Sequence, residues 1–498
     1  MENATVPALG KVVVIGGGPA GLTAAYELGK HSVLVTVLEA DSILGGIART
    51  ASYKGYLFDI GGHRFYTKVE IVEQLWKEIL GDDLLWRQRL SRIYFRGKYF
   101  RYPLDPWDTV SKLGPIEAVR CMASWARSVI FPKLPEPDLQ TWVINRFGKR
   151  LFQMFFKSYT EKVWGMRCDE IASDWAVQRI RGLSMRSLVK ATFSRWQRRP
   201  SGSSPIKTLI EAFYYPRRGP GAMWERMGER VQEKGGDIVM EAAVDRIDWE
   251  PGRVVAIYAN GRRFDADHFI SSMPVRDLIR ALMPPAPADL VEAADGLAYR
   301  DFITVALIIR EADVFPDNWI YIHDPTVKVG RIQNFKNWSP EMVPDPNMTC
   351  LGLEYFCFEG DELWSLGDAE LVELAKTEIV QLGLAQRKAL QDGAVVRMPK
   401  AYPIYNSTYQ ASIRTVRDFL TTLPNLQLIG RNGMHQYNNQ DHSMLTAILA
   451  ARNVLGDSFD LWSVNVDGEY LEEGREFSDS DLAELRTRAP IVPAIVRA

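Results

Sequence analysis

At 498 residues, 46% of them hydrophobic and 24% charged, the chain is long enough for two or three globular domains and too apolar for a disordered polymer. Lys and Arg number 60 against 62 Asp and Glu, so no global field argues for nucleic acid as a partner. There is no apolar run of ~18 residues for a membrane span, no basic-then-apolar leader, and no CxxC or zinc spacing among Cys121, Cys168, Cys350 and Cys357, so a metal-free protein of the reducing cytoplasm is expected.

Residues 11–15 form a short β-branched run that reads as a buried parallel strand. Gly16, Gly18 and Gly21 follow in a GxGxxG pattern, and 22–28 reads as a helix. The first glycine permits a tight turn, the second lets backbone approach a pyrophosphate, and the third allows close packing of helix on strand. The helix N-terminus then faces the phosphates. A second strand, 33–38, ends in Glu39, a carboxylate placed to bind a ribose hydroxyl and to repel a 2′-phosphate. Strand, glycines, helix, strand and acid in this order predict a dinucleotide site.

Two further loops choose the dinucleotide. The first carries Gly45 and Gly46, room for a long ligand to pass, with Arg49 in reach of a phosphate. The second is Gly61-Gly62-His63, after Phe58-Asp59-Ile60. A simple nicotinamide dehydrogenase needs neither loop, whereas the longer FAD uses both. No second GxGxxG occurs, so NAD(P)H is expected only as an external reductant.

Residues 71–211 read as mainly helical, with helices over 71–80, 115–130 and 139–156 and a hairpin over 92–100 leading to Tyr102-Pro103. Between Trp175 and Ile210 every charged side chain is basic, Arg179 among them. A solvated basic face is the ordinary reading of such a stretch; a phosphate-rich substrate or peripheral contact with an anionic membrane is the sharper one. A helix over 223–233 and strands over 254–259 and 266–272 come next. Their order resembles the second FAD-binding stretch of glutathione-reductase-like flavoproteins, in which the residue matching Val244 meets the adenine edge through its backbone. Strand signals at 302–309, 319–323, 330–335 and 349–358, with a helix over 369–382, predict an antiparallel sheet beside the flavin. A last strand, 426–429, runs into Gly430-Arg431, and Gln440-Asp441-His442 precede a helix over 443–455 with Asp441 or Ser443 as its cap. That helix would point its positive end at the flavin.

The expected fold is α/β. A discontinuous glutathione-reductase-type Rossmann domain for FAD comes from 1–70, 212–290 and 418–460. A helical substrate domain spans 71–211, an antiparallel-sheet domain 291–417, and a tail 461–498.

Several stretches in order resemble the UDP-galactopyranose mutases, in particular their eukaryotic-type branch. These are Gly61-Gly62-His63, Tyr102-Pro103, Lys162-Val163-Trp164 followed by Trp175 and Arg179, and Trp319-Ile320-Tyr321 followed by Arg331 and Asn337-Trp338-Ser339-Pro340. Ala401-Tyr402-Pro403, and Gly430-Arg431 with Tyr437 and the run from Asn439 to Ser443, complete the series. The resemblance implies that a reduced flavin attacks the anomeric carbon of a nucleotide sugar through N5, and that the sugar recloses as the other ring form with no net redox change. It implies Arg179 and Arg331 on the diphosphate and Tyr402 and Tyr437 as donors to it. Trp319 and Tyr321 would line the nucleotide pocket beside Tyr102, Trp164 would shape the sugar pocket, and His63 would sit by the flavin. Arg64-Phe65 and Ile404-Tyr405-Asn406 depart from the family pattern, as does the short spacing from Tyr437 to Asn439. The same framework serves oxidoreductases of the amine-oxidase and protoporphyrinogen-oxidase kind, which stay open as the alternative. Oligomeric state is not encoded in any of these motifs.

Overall fold

The structure is a computed structural model that describes residues 10–102, 104, 106–171, 173 and 212–464. Val12, Val13 and Val14 are fully buried, as a strand covered on both faces requires. Their strand, Lys11–Ile15, is the centre of a five-stranded sheet ordered Leu426–Leu428, His268–Ser271, Lys11–Ile15, Leu34–Leu38, Asp237–Val239. Every pair in it is parallel, and the strands come from three separated stretches of chain, giving the discontinuous Rossmann core that the motifs predict. The helix Pro19–Lys30 packs beside it against both Gly221–Glu233 and Gln440–Val454.

The second large sheet has seven strands, in the order Leu390–Pro403, Tyr299–Ile309, Thr349–Cys357, Arg331–Asn334, Trp319–Ile322, Ser91–Phe95, Lys98–Arg101. All its pairs are antiparallel except Trp319–Ile322 with Ser91–Phe95. One face buries Ile303, Val305, Leu307, Leu351 and Leu353 under the Asp368–Gln381 helix. The other face looks towards the Gly61–Gly62 loop.

Three of the departures from the sequence reading bear on the site. The longest strand, Leu390–Pro403, is not anticipated, because Gly393 and Pro399 break its alternation. The helix expected over 139–156 stops at Phe147: Gly148 takes φ +84°, and a Cβ there would lie 2.7 Å from the Trp125 nitrogen. A π-helical turn, Phe152–Lys157, then leads into the Ser158–Trp164 helix. The last helix begins at Gln440 with Asn439 as its N-cap, so Gln440, Asp441 and His442 occupy its first turn instead of preceding it, and neither Asp441 nor Ser443 is the cap.

Candidate active site

Glycine geometry builds the phosphate end. Gly16 takes φ +101°, and a Cβ on Gly21 would lie 1.8 Å from the Gly16 carbonyl oxygen, so no other residue lets the helix leave the strand here. Gly18 caps the Pro19–Lys30 helix and faces Gly46 across a slot, 3.9 Å from where its Cβ would stand. The Gly45 N–H donates to the Gly17 carbonyl (2.9 Å), which ties the two glycine loops together. Glu39 is buried at the end of the second strand and accepts from the Gly17 N–H (2.5 Å) and the Asp41 N–H (2.8 Å). Burial pushes its carboxyl upward, against those two donors. The Ala242 N–H donates to the Glu39 carbonyl (2.7 Å), which brings Val244 to the same end. Arg49 is not an open cation: it is ion-paired with Asp41.

At the other end Gly430 takes φ +77°, and a Cβ there would stand 2.9 Å from Ala20. Arg431 is a staple, donating to the Asn438 carbonyl (2.8 Å) and the Ala401 carbonyl (3.1 Å) while lying over the rings of Tyr402 and Tyr437. Asp441, His442 and Ser443 are all buried in the first turn of the Gln440–Val454 helix. The Asn439 N–H points at His442 Nδ1 (3.3 Å), and Asp441 Oδ1 lies 3.4 Å from the same nitrogen.

The seven-stranded sheet supplies the wall between these ends. Its register sets Tyr321 opposite Arg331, Arg331 opposite Glu354 and Glu354 opposite Thr304, one row of side chains across four strands on one face. The next row is Trp319, Gln333 and Gly352. Glu354 has no exposed surface and receives Arg331 Nε (2.5 Å) and Gln333 Nε2 (2.7 Å). Burial works against the Arg331 charge, but Glu354 and the nearby Tyr402, Tyr159 and Tyr321 outweigh it and hold the guanidinium firmly charged. Burial pushes the Glu354 carboxyl upward, yet with a donor on each oxygen it is the anionic partner of a salt bridge. A Cβ on Gly62 would lie 2.8 Å from Gln333 Nε2, so the GGH loop rests on this row. His63 Nε2 hydrogen-bonds the Ile60 carbonyl (2.8 Å). Burial pushes the ring down to about 4, with Arg431 and Arg331 adding to the shift, so His63 is neutral.

Aromatic side chains close the remaining sides. Tyr402 and Tyr437 stack at 5.6 Å, Trp164 lies 6.2 Å from Tyr437, and Tyr102 packs on Tyr321 at 4.7 Å. Burial pushes the Tyr402 hydroxyl up to about 12. Trp319 stacks on Trp338 (5.3 Å) within the core and keeps a buried Nε1 with no partner among the described residues. Lys162 donates to the carbonyls of Ile322 (3.3 Å), Asp324 and Val329 (3.3 Å), fastening the Ser158–Trp164 helix to the sheet and so placing Trp164.

The structure thus brings His63, Arg331, Tyr321, Tyr402, Tyr437, Trp164 and Arg431 to one region. Arg179 and Trp175 lie outside the described residues, as does Pro103. Sequence reasoning passed over Glu354, Gln333 and Tyr159. Gln333 and Glu354 share a face with Arg331 at period two, a signal visible only once the strands are paired. Tyr159 stacks on His323 at 4.6 Å and meets Tyr321 edge-on, contacts that no motif announces. Among the described residues no group of His, Cys, Asp and Glu could hold a metal ion.

The profile of the flavin containing amine oxidoreductases matches residues 19–455. The chain belongs to that family. The flavin containing amine oxidoreductases bind a flavin, and this chain's residues fit FAD: a side-chain-free slot between Gly18 and Gly46, a carboxylate at Glu39 and a helix N-terminus at Gln440 whose first turn buries Asp441, His442 and Ser443. The buried Oε1 atoms of Gln436 and Gln440, without partners among the described residues, leave polar atoms for it to meet. Among curated relatives, a lycopene-forming phytoene desaturase of Pantoea ananas is 26% identical over 299 residues, 55% of this chain and 58% of that one. A coproporphyrinogen III oxidase of Propionibacterium freudenreichii subsp. freudenreichii is 23% identical over 359 residues, 62% of this chain and 65% of that one. The chain therefore spans about three fifths of the length of either relative. Among solved structures, a reduced UDP-galactopyranose mutase superposes with a TM-score of 0.79 at 21% identity, covering 93% of this chain and 99% of that one. A putrescine oxidase with bound putrescine superposes at 0.59 and 17% identity, over 89% and 98%. These likenesses establish a shared fold.

Proposed function

We propose that this flavoenzyme takes a nucleoside diphosphate sugar against the Tyr321–Arg331–Glu354 row and interconverts its pyranose and furanose forms. The observation that carries this reading is the half-buried Arg331 guanidinium with Tyr402, Tyr159 and Tyr321 gathered around it. A guanidinium among hydroxyl donors suits phosphoryl oxygens. Both oxygens of Glu354 are occupied, so this row offers no free counter-charge to a cationic ammonium. A carotenoid-like substrate would call for apolar walls.

Bound in its reduced form, FAD would supply the nucleophile for the anomeric carbon. The chain's own residues do the rest. Arg331 neutralises phosphate charge while the sugar–phosphate bond breaks, and Tyr402 and Tyr437 donate to phosphate oxygens from a stack held by Arg431. Arg179 is the second cation in this reading. Tyr102, Tyr321 and Trp319 pack against the base and ribose, and Trp164 closes the sugar side against water. His63, being neutral, adds no positive charge beside the two arginines and holds its loop through the Ile60 carbonyl.

The test is to incubate dithionite-reduced enzyme with UDP-galactopyranose and with other nucleotide sugars and to resolve the products chromatographically. The expected outcome is a ring isomer of one of them with no net oxidation. The desaturase and oxidase relatives favour a second reading, a flavin-dependent oxidoreductase. Substrate-dependent bleaching of the flavin in air by a substrate without a diphosphate, with peroxide released, would establish that reading and remove the first.

A further inference from the structure

The Pro115–Ile130 helix is inside out. Of its 16 residues only Cys121 and Ser128 are buried, whereas Ile116 is 71% exposed, Val119 68% and Ile130 67%. The turn that follows continues the pattern, with Phe131 at 73% and Leu134 at 77%. At 100° per residue the exposed arc runs through Met122, Ala126, Val119, Ile130, Ala123 and Ile116, an unbroken apolar strip about 21 Å long. Arg127 and Arg120, seven residues apart, border that strip on one side, and exposed Lys133 follows at its end. The helix's acid, Glu117, is turned to the fold and held by Arg150, and Arg120, 61% exposed, reaches back to it at 3.6 Å.

We propose that this helix and the turn to Leu134 form a docking face for an anionic lipid bilayer. The apolar side chains would enter the headgroup boundary, and Arg120, Arg127 and Lys133 would meet lipid phosphates. A helix with a bulky apolar face, a cationic border and no spanning length is the physical form of an interfacial element, and no described helix is long and apolar enough to cross. The charges select the occupant. In an antiparallel two-fold pair meeting through this strip, the arginine border of one copy would lie against the same border of the other. Residues 175–210 are no better suited as a cover, since all their charges are basic. Lipid phosphates provide the missing anions.

The test sediments the full chain with phosphatidylcholine vesicles with and without phosphatidylglycerol. The expected result is co-sedimentation with the anionic vesicles that weakens as salt is raised. Arg120→Gln and Arg127→Gln should each weaken it roughly fivefold. The triple variant Val119→Gln, Ile130→Gln, Phe131→Ser should stay in the supernatant with its flavin content unchanged. Wild-type protein that stays in the supernatant, or a triple variant that pellets as wild type does, overturns the proposal. So does a wild-type dimer that the triple variant converts to monomer, which would give the face to a second copy.

Discussion

With Glu354 already on the Arg331 guanidinium, a phosphoryl group at this site has to share its cation with a buried carboxylate. The two anions compete, and the consequence is measurable at each partner. Arg331→Ala removes a charged donor and should weaken UDP binding by about 10- to 100-fold in a calorimetric titration; unchanged affinity would take the diphosphate off this residue. Glu354→Gln keeps the shape but leaves Arg331 without its counter-charge, so stability should fall by about 3 kcal/mol in urea unfolding. The same change should tighten UDP binding. Both effects belong to one pair, and a Gln variant that binds UDP more weakly would show that Glu354 orients Arg331 for the ligand instead of opposing it. His63 behaves differently because it has no acid beside it. Burial, reinforced by Arg431 and Arg331, pushes it down to about 4, so its ring signals in an NMR titration should stay flat between pH 5 and 8. An inflection near the ordinary histidine value would mean that the loop is open to water.

The elements divide into those whose glycines announce them and those whose register hides them. Gly21 is of the first kind: the 1.8 Å approach of a Cβ to the Gly16 carbonyl is what the third glycine of the motif exists to avoid. Gly21→Ala should therefore push the Pro19–Lys30 helix off its strand, and the protein should purify without its yellow colour; full flavin content in this variant would mean that the turn can yield. The cofactor half was legible for this reason, since strand, glycine turn and acid are local patterns with local causes. The substrate half was legible only in part. The Trp319–Ile322 and Arg331–Asn334 strands were readable, but Glu354 lies between Leu353 and Tyr355 in a strand that is buried throughout. Nothing local distinguishes it from a chance polar residue until Arg331 is paired with it across the sheet. The Leu390–Pro403 strand was unreadable because only its long antiparallel ladder with Tyr299–Ile309 overrides Gly393 and Pro399. At the last helix, the Asn439 cap competed with Asp441 and Ser443 as equally good cap residues, and tertiary packing chose among them.

On the scale of the whole molecule, burial of polar rings makes the fold sensitive to acid. Burial pushes His63 and His435 down to about 4 and His323 to about 3, so the native state refuses three protons that the unfolded chain accepts near the ordinary value of 6.5. For each, the folded value lies below the unfolded one, so its stabilising contribution is complete above about pH 6.5 and is lost as pH falls towards 4. Asp59 acts in the opposite sense. Burial pushes it up to about 7 despite donation from Tyr215 (2.6 Å) and Thr50 (2.9 Å), so the native state keeps a proton that the unfolded chain releases. Its contribution is present in acid and is lost as pH rises through 7. Near pH 5.5 these four groups leave a balance of three protons withheld against one retained. Through these four groups unfolding should then take up about two protons, a contribution of about 2.7 kcal/mol per pH unit to the slope. His435 offers the control, because its φ of +47° is one that asparagine also tolerates. His435→Asn removes one titrating ring without forcing the backbone, and should lower the slope by about 1.4 kcal/mol per pH unit. Urea unfolding of both proteins at a series of pH values between 5 and 7 measures this. Equal slopes would mean that His435 binds its proton as readily in the folded state as in the unfolded one.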